Sequence, residues 1–196
     1  MRRALWLTIP VLLGATGPAQ AEFYGSLSGM AVFVPDTDID IQGLPNVEAR
    51  FDPGWGVAGA LGHSWDLPAV SPRLEAEVAY RRTSIKDVDI EGERFGTSDS
   101  DLWATSGMVN GALDLDIVPV VTPYVMAGLG FAVVDAEDTD ADTAFAYQAG
   151  AGLGYGIGPA TLFIGYRYFA TDQVDLEGSK FDFETHNLEV GLRYGF

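Results

Sequence analysis

The sequence predicts an all-β protein: an eight-stranded antiparallel up-and-down transmembrane β-barrel, preceded by a cleavable signal peptide. Three observations carry that expectation. The C-terminal stretch alternates strictly, the joins between alternating segments are short and long by turns, and acidic residues crowd into the long joins. In Glu184–Phe196, His186, Leu188, Val190, Leu192, Tyr194 and Phe196 form one row. Thr185, Asn187, Glu189, Gly191, Arg193 and Gly195 form the other. A period of two means a strand, because successive side chains point to opposite faces. An apolar row capped by aromatics suits lipid and its interface, and a polar row suits a barrel lumen.

The first element is the leader. Met1-Arg-Arg3 is a basic start, Ala4–Leu13 an apolar run, and Ala19-Gln-Ala21 a small-x-small cleavage site, which are the three parts of a secretory signal peptide. The apolar run is too short for a spanning helix, which needs roughly 20 residues. Residues 1–21 are therefore set apart, and residues 22–196 are expected to form one outer-membrane barrel domain. The chain has no cysteine, which excludes a disulfide framework and a lipid-modified N-terminal Cys.

Eight segments after the leader have strand character. Phe23–Val34 sets Phe23, Leu27, Ala31 and Phe33 against Tyr24, Ser26 and Ser28; Gly54–Trp65 sets Trp55, Val57, Leu61 and Trp65 against Gly56, Ala58, Ala60, Gly62 and Ser64. Arg73–Arg82 sets Leu74, Ala76, Val78 and Tyr80 against Arg73, Glu75, Glu77, Ala79 and Arg81, and Leu102–Leu115 sets Trp103, Val109 and Leu113 against Ser106, Asn110 and Asp114. Pro123–Val134, Ala144–Tyr155 and Thr161–Ala170 follow, each with an apolar row opposite a row rich in small or polar residues. The C-terminal strand is the eighth. Most are near the 9–11 residues a tilted transmembrane strand requires.

The joins at Asp66–Pro72, Asp116–Thr122 and Gly156–Ala160 are short and built on Pro or Gly, as turns need. Those at Pro35–Pro53, Thr83–Asp101, Asp135–Thr143 and Asp172–Asp182 are mostly longer and polar, and most of the 28 acidic residues fall there. That alternation is the topology of a barrel with short periplasmic turns and long external loops. The formal net charge of −17 argues against nucleic acid as a partner, whose phosphates would be repelled. With 47% hydrophobic and 12% aromatic residues the acidity does not signal disorder. It signals a soluble, strongly negative external face.

The polar rows predict the lumen. Arg73, Glu75, Glu77, Arg81, Arg167, Glu189 and Arg193 fall on rows that face inward, and buried charges survive only when paired and hydrogen-bonded. They are read as a packed structural ion-pair network, with small residues opposite because an eight-stranded barrel has a narrow interior.

These features bring a family into view. Phe23-Tyr-Gly-Ser-Leu-Ser-Gly29, Phe163-Ile-Gly-Tyr-Arg-Tyr-Phe-Ala170 with its acidic sequel, and His186–Phe196 together resemble the small outer-membrane β-barrels that include opacity-protein-like surface antigens and OmpA/OmpX-type barrels. The resemblance covers the mature chain and implies outer-membrane localisation. It implies that Tyr194 and Phe196 are the signal read by the barrel assembly machinery. It does not select among the adhesins, surface antigens, envelope-stability proteins and weak pores of that family, because fold does not give function.

No catalytic set stands out. His63 precedes Ser64, but strand neighbours face opposite sides. His186 has Glu184 on its own face and Leu188, not a serine, two residues on. Asp135-Ala-Glu-Asp-Thr-Asp-Ala-Asp142 lacks the glycine of a helix-loop-helix calcium loop. No cofactor is expected, and at most weak divalent-cation binding by acidic loops. Trp55, Trp65, Trp103, Tyr80, Tyr194 and Phe196, at strand ends, read as an interfacial girdle, with a carbohydrate- or partner-binding surface as the other reading; Tyr166 and Tyr168 are less well placed for a girdle and are expected simply to face lipid.

The expected role is that of a non-enzymatic surface protein acting in envelope integrity, adhesion or antigenicity. Its expected partners are outer-membrane lipid and lipopolysaccharide, the assembly machinery, and a host or other cell surface. A narrow channel for small solutes and a lipid-modifying enzyme remain as alternatives. A soluble lipocalin-like barrel is a further one, and it would need the apolar rows inside.

Overall fold

Eight long strands, each hydrogen-bonded to the next in antiparallel fashion, close into a barrel because the last pairs with the first. The structure is a computed structural model. It describes residues 21–35, 37–39, 47–51, 53–90, 93–117, 120–136, 141–172, 174–176, 179–181 and 183–196. The elements are β1 (Ala21–Phe33), β2 (Thr37–Ile39), β3 (Val47–Phe51), β4 (Gly54–Trp65), β5 (Val70–Ile90), β6 (Glu93–Leu115), β7 (Thr122–Ala136), β8 (Asp142–Ile157), β9 (Ala160–Thr171), β10 (Val174–Leu176), β11 (Ser179–Phe181) and β12 (Glu184–Gly195). The wall is β1, β4, β5, β6, β7, β8, β9 and β12. The seam runs from Tyr24↔Gly195 to Phe33↔His186.

The expected leader lies outside the described residues except for Ala21, at which β1 begins. Parts of the acidic joins also lie outside them: residues 36, 40–46, 52, 91–92, 173, 177–178 and 182, and residues 137–140 of the calcium-like stretch between Asp135 and Asp142. The expected strand Gly54–Trp65 matches β4 residue for residue.

The largest departure is on the third and fourth wall strands. The sequence reading ends the third at Arg82, starts the fourth at Leu102, and assigns 83–101 to a polar loop. Instead β5 and β6 remain paired from Thr83↔Leu102 out to Ile90↔Glu93, with an irregularity between Ile85 and Asp87. The physical reason is in the residues. Ile85, Val88 and Ile90 are β-branched and favour a pleated strand. Beyond the wall, β3 adds to the free side of β5, from Val47↔Ile90 to Phe51↔Ile85, and β2 adds to β3.

Which face is which follows from exposure. The apolar row points outward, with Leu27 at 69%, Leu61 at 68% and Val78 at 65% relative exposure. A soluble protein does not leave a continuous band of such residues in water; a membrane barrel places it in hydrocarbon. The alternative with apolar rows inside is overturned. Trp55, Trp103, Tyr80, Tyr147, Tyr166 and Tyr168 lie toward the long-loop end, and Trp65, Tyr155, Tyr194 and Phe196 toward the short-turn end. The two groups bound the aliphatic band as interfacial aromatics do.

Candidate functional site

The lumen holds two charged centres, one above the other. The one nearer the short turns is built on Arg73 of β5. Alternation points Arg73 and Glu75 to the same side, and their side chains pair directly. Arg73 Nη2 also donates to Asp114 Oδ1 on β6 at 2.9 Å, and Arg193 Nη1 on β12 donates to Asp114 Oδ2 at 3.2 Å. Tyr24 on β1 donates its hydroxyl to Glu75 Oε1 at 2.6 Å and accepts from Arg73 Nη1 at 3.3 Å. The Arg193 guanidinium sits 5.2 Å from the Tyr24 ring centre, within cation–π range.

The second centre is built on Arg167 of β9. Its Nη1 reaches both oxygens of Glu77 at 2.6 and 2.7 Å, and its Nη2 reaches Glu189 Oε2 at 2.8 Å. Gln148 and Asn110 donate to Glu77 as well, each at 3.2 Å. Glu77 is therefore a buried carboxylate satisfied from three strands, the condition under which such a charge persists.

All seven predicted lumen residues line the interior, but their pairing differs from a simple alternation of Arg and Glu. Arg81 of β5 donates to Ser106 Oγ at 3.0 Å and lies 4.0 Å over the Phe169 ring, and no ion pair to it is found among the described residues. Asp114, which the sequence reading places on the polar row but leaves out of the ionic set, takes two guanidinium partners. With it the interior balances four arginines against Glu75, Glu77, Asp114 and Glu189.

Sequence reasoning missed the upper lumen. Toward the long loops apolar side chains join the interior beside Arg81, Thr171, Thr185 and Asn187: Leu102, Ala104, Met108, Ala132, Val134, Ala144, Ala146, Phe169 and Phe183 form one buried cluster, and Met30, Val32, Ala58 and Ala79 another. The signal was present in the bulky apolar residues that interrupt polar rows, Val32, Leu102, Val134 and Phe169. Tyr24 and Tyr124 also fill space that glycines leave for them. A Cβ at Gly152 would come within 2.6 Å of the Tyr124 ring, and one at Gly62 would collide with Tyr24.

What remains open is small or one-sided. A cavity of about 30 Å³ lies between the two centres, lined by Ser26, Ser28, Glu75, Tyr124 and Arg167 among others; that is room for a water or two. A wider mouth of about 500 Å³ opens at the short-turn end between Glu22, Ser64, Asp66, Asp114 and Arg193. Above it Asn110, Arg81 and Val134 are at most 1% exposed.

The histidines lie outside the barrel at opposite ends. His63 sits between Phe23 and Trp65, with ring centres 4.6 and 4.7 Å away. His186 Nδ1 is 2.5 Å from the Tyr166 hydroxyl.

A closed eight-stranded wall with an apolar outer belt and an ionic interior defines a transmembrane β-barrel of the outer-membrane type. The chain belongs to the outer membrane protein beta-barrel domain family, whose model matches residues 7–196. Its location is the outer membrane.

Among solved structures it is similar to Neisserial surface protein A, at 18% identity and a TM-score of 0.56, covering 90% of this chain and 99% of that one. Ail, the attachment invasion locus protein of Yersinia pestis, matches at 16% identity and a TM-score of 0.41, covering 91% and 99%. The outer membrane protease OmpT of Escherichia coli matches at 9% identity and a TM-score of 0.48, covering 90% and 96%. The likeness to the Neisserial protein is one of fold. A comparison with curated protein sequences gives no match.

Proposed function

We propose that this protein is a non-enzymatic surface protein: a sealed barrel that anchors an acidic, strand-built display on the outside of the cell. One observation carries the reading, the contrast between a lumen occupied by its own side chains and a hairpin that outruns the wall. Arg167 is held by Glu77 and Glu189, and Asp114 by Arg73 and Arg193, so the interior groups are committed to one another. Meanwhile β5 and β6 continue about 25 Å past the last rung of their neighbours, at the usual rise per strand residue. In barrels of this topology the long connections face the exterior and the termini face the periplasm.

The exterior segments are rich in Asp and Glu. They would repel the phosphates of lipopolysaccharide unless divalent cations bridged the two, and they favour basic patches on a host or neighbouring cell. Roles in adhesion, antigenicity or envelope integrity all follow from a charged surface held above the membrane. Tyr194 and the exposed Phe196 are the residues the assembly machinery would read.

Protease shaving of intact cells tests the reading. Cleavage is expected within residues 83–101 and in the other long connections, with the wall strands recovered whole from the membrane. Cleavage of those segments only after the outer membrane is permeabilised would place them on the periplasmic side and overturn it.

A further inference from the structure

Within the aromatic belt on the outer face one side chain stands out, a carboxylate among tyrosines. At the long-loop end of β8, β9 and β12, Tyr147, Tyr166, Tyr168, His186 and Glu184 lie together. Tyr168 is 6.4 Å from Tyr147 and 5.5 Å from His186 between ring centres. Tyr166 is 5.9 Å from His186 and shares a hydrogen bond with its Nδ1. In the register Glu184 stands across from Ala170 and His186 across from Tyr168, so all four share this outward face. Alternation along β9 points Ala170 outward, between Tyr147 and Glu184 in the register, yet it is fully buried. The group is thus a packed dish with an alanine floor, aromatic walls and one carboxylate.

Among the described residues no basic side chain pairs with Glu184, although it stands where water meets lipid. A carboxylate on the same face as electron-rich rings is suited to a cation: the carboxylate supplies the charge and the rings a quadrupole attraction. The occupant is defined by position, since this face is bathed by the membrane itself. The adjoining wall has a place for its chain. Gly111, Ala127, Ala149 and Tyr168 are successive partners across β6, β7, β8 and β9, and nothing lies within 4 Å of where a Cβ on Gly111 would stand. Hydrogen-bond rows in a tilted barrel climb the wall diagonally, so this shallow path leads from the apolar belt up to the dish.

We propose that Tyr147, Tyr166, Tyr168, Glu184 and His186 form a headgroup site for a membrane lipid that bears a primary ammonium, with one acyl chain laid along Gly111, Ala127 and Ala149. The site needs only the transmembrane barrel and does not depend on what the loops bind.

The test uses the folded full-length mature chain in phosphatidylglycerol bilayers doped with phosphatidylethanolamine or with N-acetylated phosphatidylethanolamine, which lacks the charge. Lipid retained on the protein is read by native mass spectrometry, and folding by heat-modifiable gel mobility. Phosphatidylethanolamine should be retained about tenfold over both the acetylated lipid and phosphatidylglycerol, the sum of a modest ion pair and cation–π contacts. Glu184→Gln should abolish that preference, Glu184→Asp should keep most of it, and Gly111→Leu should weaken retention of every lipid equally. Equal retention of charged and acetylated lipid, or an unchanged preference in folded Glu184→Gln, would overturn the proposal.

Discussion

Arg167 grips two carboxylates at once, so it is the side chain whose removal should cost most. Arg167→Ala leaves Glu77 and Glu189 buried together without a counter-charge, and loss of one partner from a buried pair destabilises by about 3–5 kcal/mol. Urea titration of the refolded protein in lipid vesicles should show that loss. Arg167→Lys should recover only part of it, because an ammonium lacks the fork that spans both acids. A loss under about 1 kcal/mol in Arg167→Ala would mean that the charges are solvated after all. At this scale the sequence shows side, not partner. Alternation is enough to send Arg73, Glu77 and Arg167 inward. Which acid meets which base depends on contacts across the lumen between strands far apart in the chain. Asp114 shows the difference: its row is readable, but its two arginines come from β5 and β12. Arg81 shows it again, since its ring partner Phe169 stands 88 positions along the chain.

Among the elements, β5 and β6 outlast the membrane. Their upper halves pair chiefly with each other and with β3, and the wall rungs Trp55↔Arg82 and Leu102↔Ala136 lie below them. Replacing residues 85–100 with a tight turn should therefore leave the heat-modifiable barrel intact in urea titrations, with at most about 1 kcal/mol lost. Failure of the shortened chain to reach the folded band would make the hairpin part of the folding unit. The strands were legible wherever apolar and polar residues alternate inside the membrane, as in β4. Above it the cue fails, because both faces of a solvated hairpin accept acids and a charge-rich strand reads as a loop. The short β2, β3, β10 and β11 are hidden for the same reason. The apolar clusters of the upper lumen were hidden by an opposite effect, since Ala and Met scattered through small-residue rows look like fillers.

As a whole, the molecule is a plugged cylinder: apolar outside, ionic through its middle, and packed with mixed apolar and polar side chains beneath the loops. Planar-bilayer recordings of the refolded protein should show no steady conductance at ordinary salt. Well-defined open levels would require the Arg167 and Arg73 centres to part. The closure that makes the cylinder also constrains its birth. Because the final strand zips onto the opening one, from Phe33 and His186 down to Tyr24 and Gly195, no nascent fragment possesses both lips of the seam. Every shorter intermediate exposes two unsatisfied sheet margins that hydrocarbon cannot tolerate. Insertion must then wait until β12 has been made, and the polypeptide must be kept unfolded in transit until that strand arrives.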